Sequence, residues 1–274
     1  MTITTAKQAT AALPSALQVG LSRALYELKL FFREKEQVVF TFSLPVVLLL
    51  LFGSVFEGTI DGSGITVAQI YAAAMIASGI LSASLQNLGT TIAVERDQGV
   101  LKRLAGTPMP PSSYFLGKIL SVLVIALIEV VLLLAVAVLL YDVPLPTDWF
   151  TFSWVFVLGL TAGCLLGIAA SGIARSARSA AAVITLPFLV LQFISGVFIP
   201  FTKLPEWLVT IASFFPLRWM CQGFRAVFLG DAGAALEITG SYELDRVALV
   251  LGAWCIGGLL LCVRTFRWKS RRDG

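Results

Sequence analysis

Three groups of polar residues in this 274-residue chain stand out because the sequence around them is so apolar, and each implies its own chemistry. The stretch from Glu95 to Lys118, ERDQGVLKRLAGTPMPPSSYFLGK, brings Glu95, Arg96, Asp97, Lys102 and Arg103 close together. Each such charge costs roughly 2.5 to 3.5 kcal/mol at mid-depth in hydrocarbon, so the stretch belongs in water or against another protein. Glu129, within IALIEVVLLL, is the only clearly intramembrane acid. The Leu, Ile and Val residues between Ile119 and Leu140 offset its insertion cost. An intramembrane carboxyl is a functional candidate by default, the competing account being a carboxyl, neutral or hydrogen-bonded, that serves packing alone. Third, Ser78, Ser82, Ser84, Gln86 and Asn87 form a polar stripe among Ala and Leu. Such a stripe avoids lipid and faces either protein or a solvated path.

Enzyme chemistry finds little to work with here. There is no histidine, which removes histidine acid–base catalysis and makes the common zinc and haem sites unexpected. No Ser or Cys nucleophile stands beside a base, so no catalytic residue is assigned. Cys164, Cys221, Cys255 and Cys262 show no paired spacing and read as small buried apolar residues. A phosphate-cradling loop needs G-x-x-x-x-G-K-[ST]; the sole Gly-Lys, Gly117-Lys118, has Ser112 five residues before it and Ile119 after it. No metal, no cofactor and no nucleic-acid partner is therefore expected on this chain.

The elements that hold these residues are membrane helices. Hydrophobic residues make up 58% of the sequence and charged ones 13%, the composition of a polytopic membrane protein rather than a soluble domain. A spanning helix takes about 20 apolar residues, and six stretches qualify, near 38–57, 68–93, 117–140, 149–173, 180–199 and 247–263. Of the 20 Lys and Arg residues, all but Lys203, Arg218, Arg225 and Arg246 fall on the side that holds both termini and the 94–113 loop. The positive-inside rule makes that side cytoplasmic. No cleavable signal peptide is evident, because a long polar segment precedes an apolar run long enough to span.

The chain thus divides into an N-terminal segment, 1–37, a six-span domain, 38–263, and a basic tail, 264–274. Residues 1–16 are polar, small and expected to lack fixed structure. Leu17, Leu21, Ala24, Leu25, Leu28, Phe31 and Phe32 then recur on one helix face, the pattern of an amphipathic helix lying on the membrane surface. Within 94–113, Val94, Val100, Leu101 and Leu104 are spaced as an apolar ridge flanked by Lys102 and Arg103. Thr107-Pro108 and Pro110-Pro111 end that helix, and Ser112 or Ser113 is placed to cap the next. Gly159, Gly163 and Gly167 recur every fourth residue, giving the fourth span one face open to close helix approach. ARSARS, 174–179, is a cytoplasmic turn. In the external region 200–230, Pro205–Ser213 and Pro216–Leu229 are each too short to cross, which predicts a re-entrant helical hairpin before the last span. Trp207 and Trp219 are candidate headgroup anchors within it.

The order Glu95-Arg96, Gly99, Leu101, Thr107-Pro108, Gly117-Lys118, after a second span, resembles the first cytoplasmic loop of type 2 ATP-binding-cassette exporter permeases, a bacterial family of drug, lipid and polysaccharide exporters. The resemblance implies an all-α fold: six transmembrane helices, an N-terminal interfacial helix and the re-entrant hairpin. It also implies a plasma (inner) membrane location. In that family the loop docks on a separate ATPase, so Glu95, Arg96, Gly99, Leu101, Lys102, Arg103, Leu104, Thr107 and Pro108 become candidate coupling residues. ATP and Mg would then sit on two copies of that partner. A second permease copy, identical or homologous, would complete the path, with Ser78, Ser82, Gln86, Gln192 and Phe193 lining it. Glu129 is kept as a further path candidate on its own account. The implied cargo is an amphipathic drug, natural product or lipid, and exporters of polysaccharide or lipid-linked glycan share the architecture. An ion-coupled secondary transporter using Glu129 is the rival of a different class, although no internal repeat is evident.

Overall fold

The computed structural model describes residues 15–266 apart from 57, 61, 62 and 175. Expectations placed on residues 1–14, on Arg175 and on the basic tail beyond Phe266 lie outside the described residues. Helix α1 is Ala16–Arg33, opened by a capping box in which Ser15 and Gln18 satisfy each other's backbone N–H groups. A break at Glu34 leads into α2, Lys35–Val55. The second span starts as α3, Val67–Leu81, widens into a π-turn at Ser82–Asn87 and continues as α4, Leu88–Asp97. After α5, Val100–Ala105, come α6, Pro111–Tyr141, and α7, Trp149–Ile173. The fifth span joins α8, Ala177–Ala180, through a second π-turn at Ala181–Thr185, to α9, Leu186–Ile194. Two further helices, α10, Glu206–Phe214, and α11, Pro216–Ala234, precede α12, Leu244–Thr265.

Among the described residues six helical stretches are long and apolar enough to cross a membrane, and the chain is a multi-pass, all-α membrane protein. The fifth ends at Ile194, earlier than its composition indicated, because the chain turns there through Gly196 with φ 80°. The second span is the most buried. Its Ala72, Ala73, Ala74 and Ala77 present almost no side chain, so neighbouring helices pack directly on its backbone.

The glycine face of α7 meets that span at its π-turn. A β-carbon at Gly167 would sit 2.7 Å from the carbonyl oxygen of Ser84 and 2.9 Å from that of Leu85. A π-turn carries one residue more than a regular turn and bulges outward, and glycine makes room for the bulge. Ser84 and Thr90 return their hydroxyls to the carbonyls of Ile80 and Gln86, at 2.6 and 2.8 Å, a pattern that bends helices. On its other side α7 runs alongside α12. Thiols of Cys255 and Cys262 donate to the carbonyls of Leu158 and Leu165, so these cysteines act as weak interhelical donors as well as small packing groups.

Three local expectations are corrected. The apolar stripe of α1 splits. Gly20, Ala24, Glu27 and Phe31 are buried, with Gly20 and Ala24 against α6, while Leu17, Leu21 and Leu25 project outward. Neither Ser112 nor Ser113 caps α6, which starts at Pro111, where the absent N–H is no loss. The Ser113 hydroxyl donates instead to Ala16 O at 3.0 Å. Finally, both faces of α11 are buried, and Trp219 donates its indole N–H inward to Ser213 O, leaving Trp207 as the exposed tryptophan of the pair.

Candidate functional site

The second span carries its chain out of the apolar zone as α4 and stops it at Gly99, whose φ of 72° is the left-handed conformation that a β-carbon disfavours. That stop divides the anticipated single ridge. Val94 belongs to α4, whereas Val100, Leu101 and Leu104 belong to α5, two short helices set at different angles by the glycine. Leu101 is fully buried in the main core, with Leu104 and Met109 packed beside that core. What α5 and its exit present outward is Lys102, Arg103, Thr107 and Pro108, rimmed by half-buried Val100 and Leu104. Thr107 closes the segment by donating its hydroxyl to Leu104 O at 2.6 Å.

Glu95, Arg96 and Asp97 do not share that surface. The chain turns them inward, where they find partners within this chain rather than in water. Glu95 accepts from the Tyr114 hydroxyl and from Lys118 Nζ, each at 2.7 Å. Lys118 also reaches Glu27 on α1 at 2.7 Å, and Arg23 lies 2.6 Å from Glu27 and 3.5 Å from Glu95. Both cations face the Tyr114 ring, 5.6 and 5.8 Å from its centroid. The result is two cations and two carboxylates, nearly dry and electrically balanced, fastening α1, α4 and α6 at one point. Arg96 donates to Ala174 O at the end of α7, and Asp97 accepts from the Ala177 N–H at the start of α8, 3.1 Å away. The loop after the second span is thereby tied to four other elements.

Sequence reasoning missed Arg23, Glu27 and Tyr114 as members of this cluster. One signal was available: Glu27 interrupts the buried Gly20, Ala24, Phe31 face of α1, and an acid on a buried face needs a cation. Lys118, whose place in the loop pattern was noted, supplies it.

The path candidates separate as well. Ser78, Ser82, Gln86 and Gln192 line one cleft of about 170 Å³ between α2, the second span and the fifth span, together with Thr41 and Phe188. Phe193 is absent from that lining; it is exposed on α9 and packs edge-on against Phe198, ring centroids 5.1 Å apart. Glu129 lies elsewhere, on α6 against Gly79 of α3. Around the cleft, Leu186, Leu189, Val190 and Phe193 of α9 and Val39, Phe40, Leu44 and Val47 of α2 remain exposed.

Outside the spans, the segment between α11 and α12 is held by a bidentate pair, Arg225 Nε to Glu237 Oε1 at 2.6 Å and Nη2 to Oε2 at 3.0 Å. Gln222 donates to Tyr242 O, and the Tyr242 hydroxyl donates to Gly230 O, both at 2.8 Å. Burial, then the neighbouring Glu237 charge, pushes the Tyr242 phenol above its ordinary range, so it remains a donor. Among the described residues no group of three or more His, Cys, Asp or Glu side chains is arranged to hold a metal.

Comparison with known proteins agrees with this architecture. A family profile described as ABC-2 type transporter matches residues 24–229. YvfS of Bacillus subtilis, provisionally named a transport permease, is 22% identical over 201 residues, 73% of this chain and 81% of its own length. YbhR of Escherichia coli K12, provisionally named a multidrug ABC transporter permease, is 23% identical over 163 residues, 60% of this chain but only 44% of its own length. The Pyropia yezoensis protein ycf38, also provisionally named a transport permease, is 28% identical over 225 residues, 79% of this chain and 74% of its own. With the family match covering most of the six-span region, the chain belongs to the ABC-2 type transporter family and is a membrane permease subunit of an ABC transporter.

Proposed function

We propose that this permease exports an amphipathic drug, natural product or lipid, driven by ATP hydrolysis on a separate ATPase subunit. Two ATPase copies, with their ATP and Mg, dock on two permease copies in the inner membrane, the termini and the 94–113 loop facing the cytoplasm. The observation that carries this reading is the outward surface of Lys102, Arg103, Thr107 and Pro108 on a loop anchored to α1, α6, α7 and α8. A push on that surface is delivered to several spans at once. Leu104, Val100 and Gly99 shape the surface, while Glu95, Arg96 and Leu101 act from behind it, transmitting force rather than touching the partner.

The cleft of Ser78, Ser82, Gln86 and Gln192 then serves as this subunit's half of the path. The apolar exposed faces of α2 and α9 beside it meet the second copy. Its few polar groups in an apolar wall suit an amphipathic cargo. The relatives' names support this choice, since YbhR is provisionally a multidrug permease.

Co-purification from the native host tests the reading. A nucleotide-binding subunit should be retained by the wild-type chain and released by Leu104→Asp or by joint Lys102→Glu and Arg103→Glu substitution. Absence of any ATPase, or retention unaffected by all three changes, would overturn it.

A further inference from the structure

Glu129 takes no part in the cytoplasmic cluster or in the cleft. Its side chain is 2% exposed, and neither carboxyl oxygen has a hydrogen-bond partner among the described residues. The carboxyl fills the notch left by Gly79: a β-carbon there would stand 2.7 Å from its Cδ. Among the described residues the surroundings offer no counter-charge. Helix α3 has no charged residue, and its one titratable group, Tyr71, lies about 12 Å along the helix. The Ser82–Asn87 turn has none, and α2 has only Lys35 and Glu36, at its cytoplasmic end. On α1, Arg23, Tyr26, Glu27, Lys29 and Arg33 belong to the cytoplasmic side. On α6 itself Tyr114, Lys118 and Tyr141 are the other titratable groups, the nearest to Glu129 being Lys118, about 16 Å along the helix, and Tyr141, about 18 Å.

A carboxylate with neither donor nor cation beside it is not tolerated in hydrocarbon, whereas a carboxylic acid is. Water has a route close to it. A crevice of about 240 Å³, lined by Glu34, Asn87, Thr91, Glu95, Lys118 and Ser121, ends at Ile125, one helical turn before Glu129.

We propose that Glu129 is a proton-binding site. Its carboxyl holds the proton while α3 and α6 are packed as in this structure, and yields it to water at the head of the crevice when the helices part. The O–H bond breaks, its electron pair stays on the carboxylate oxygen and water becomes hydronium; closure reverses the step. Helix α3 runs on into α4 and Glu95, and α6 begins near Lys118, so movement at the cytoplasmic cluster reaches the Gly79–Glu129 contact along the same two helices. Each transport cycle therefore releases and rebinds one proton per subunit. The cyclic half rests on the proposed ATP-driven cycle; the proton-bound resting state does not.

Infrared spectroscopy of the purified chain separates protonated from ionised carboxyls. At neutral pH the wild type should show a protonated carboxyl band that Glu129→Gln removes. A wild type without the band, or a band that survives the substitution, overturns the site. Gly79→Ala keeps Glu129 but displaces it from its notch, and its band should disappear at lower pH than in the wild type; an identical pH dependence overturns the role of the notch. In the transporter complex arrested with bound nucleotide, the band should be lost at a pH where the nucleotide-free complex keeps it. An unchanged band there overturns the cyclic half. Failure to recover any ATPase would overturn that half together with the exporter reading, while the first two measurements still decide the proton site.

Discussion

Lys118→Met keeps most of the side-chain length and removes one charge from the balanced cluster of Arg23, Glu27, Glu95 and Lys118. The lysine side chain is 3% exposed and equidistant, at 2.7 Å, from a carboxylate on α1 and one on α4. Arg23 remains, close to Glu27 but 3.5 Å from Glu95, so Glu95 keeps one strong hydrogen bond, from Tyr114. Removing one partner of a buried pair costs about 3–5 kcal/mol because the other charge stays behind. Glu95 and Glu27 are 13% and 8% exposed, so water recovers part of that and about 2–3 kcal/mol of destabilisation is expected. At about 2–4 °C per kcal/mol this is a fall of order 5–10 °C in the melting midpoint of the purified chain in detergent. Adding Glu95→Gln restores the balance and keeps an acceptor for Tyr114, so the double variant should regain at least half of the loss. A single variant that melts like the wild type, or a double variant in which the two losses simply add, would refute the claim that charge balance at this point fastens α1, α4 and α6.

Gly167→Ala drives a methyl into the carbonyls of Ser84 and Leu85 and should lower stability by about 1–3 kcal/mol, read as a melting shift. Gly99→Ala meets no neighbouring atom but forces φ 72° on a residue with a β-carbon; a loss of about 1–2 kcal/mol, without altered packing elsewhere, should appear in the same assay. Asp148 caps α7, and hydrogen bonds from the Thr151 hydroxyl and then the Thr151 N–H hold its carboxyl below the usual aspartate range. Its stabilising effect is thus present above that range and lost as pH falls through the lowered value; melting followed from neutral to acid pH should show an acid-side loss that Asp148→Asn flattens.

The spans, their number and the bundle's all-helical class could be read from the sequence because hydrocarbon imposes length and apolarity residue by residue. The 94–113 segment was harder. Its charges marked it as functional, but charge says nothing of direction, and Glu95 and Arg96 face inward while Lys102 and Arg103 face outward. A single conformational fact, the left-handed Gly99, divides the two sets. For the cleft, Ser78, Ser82 and Gln86 were legible as a stripe, because lipid excludes such runs. Gln192 and Phe193 were both implied by the family resemblance, yet one residue is a turn of about 100° on a helix and carries Phe193 to another face. The isolation of Glu129 could not be foreseen, since its partnerlessness depends on what surrounds Gly79 in space.

The π-turn at Ser82–Asn87 gives the second span one residue more than a regular helix would use. Deleting a residue there would let the helix close to a regular turn while the residues beyond keep their facing, because the wide turn already absorbs the extra one. Glu95 would still meet Lys118 and Arg96 would still meet Ala174 O, whereas the same deletion in the regular part of α3 would swing everything beyond it by about 100°. The wide turn therefore behaves like a slip joint: among related chains, a one-residue gap at this point should leave the charged partners beyond it unchanged.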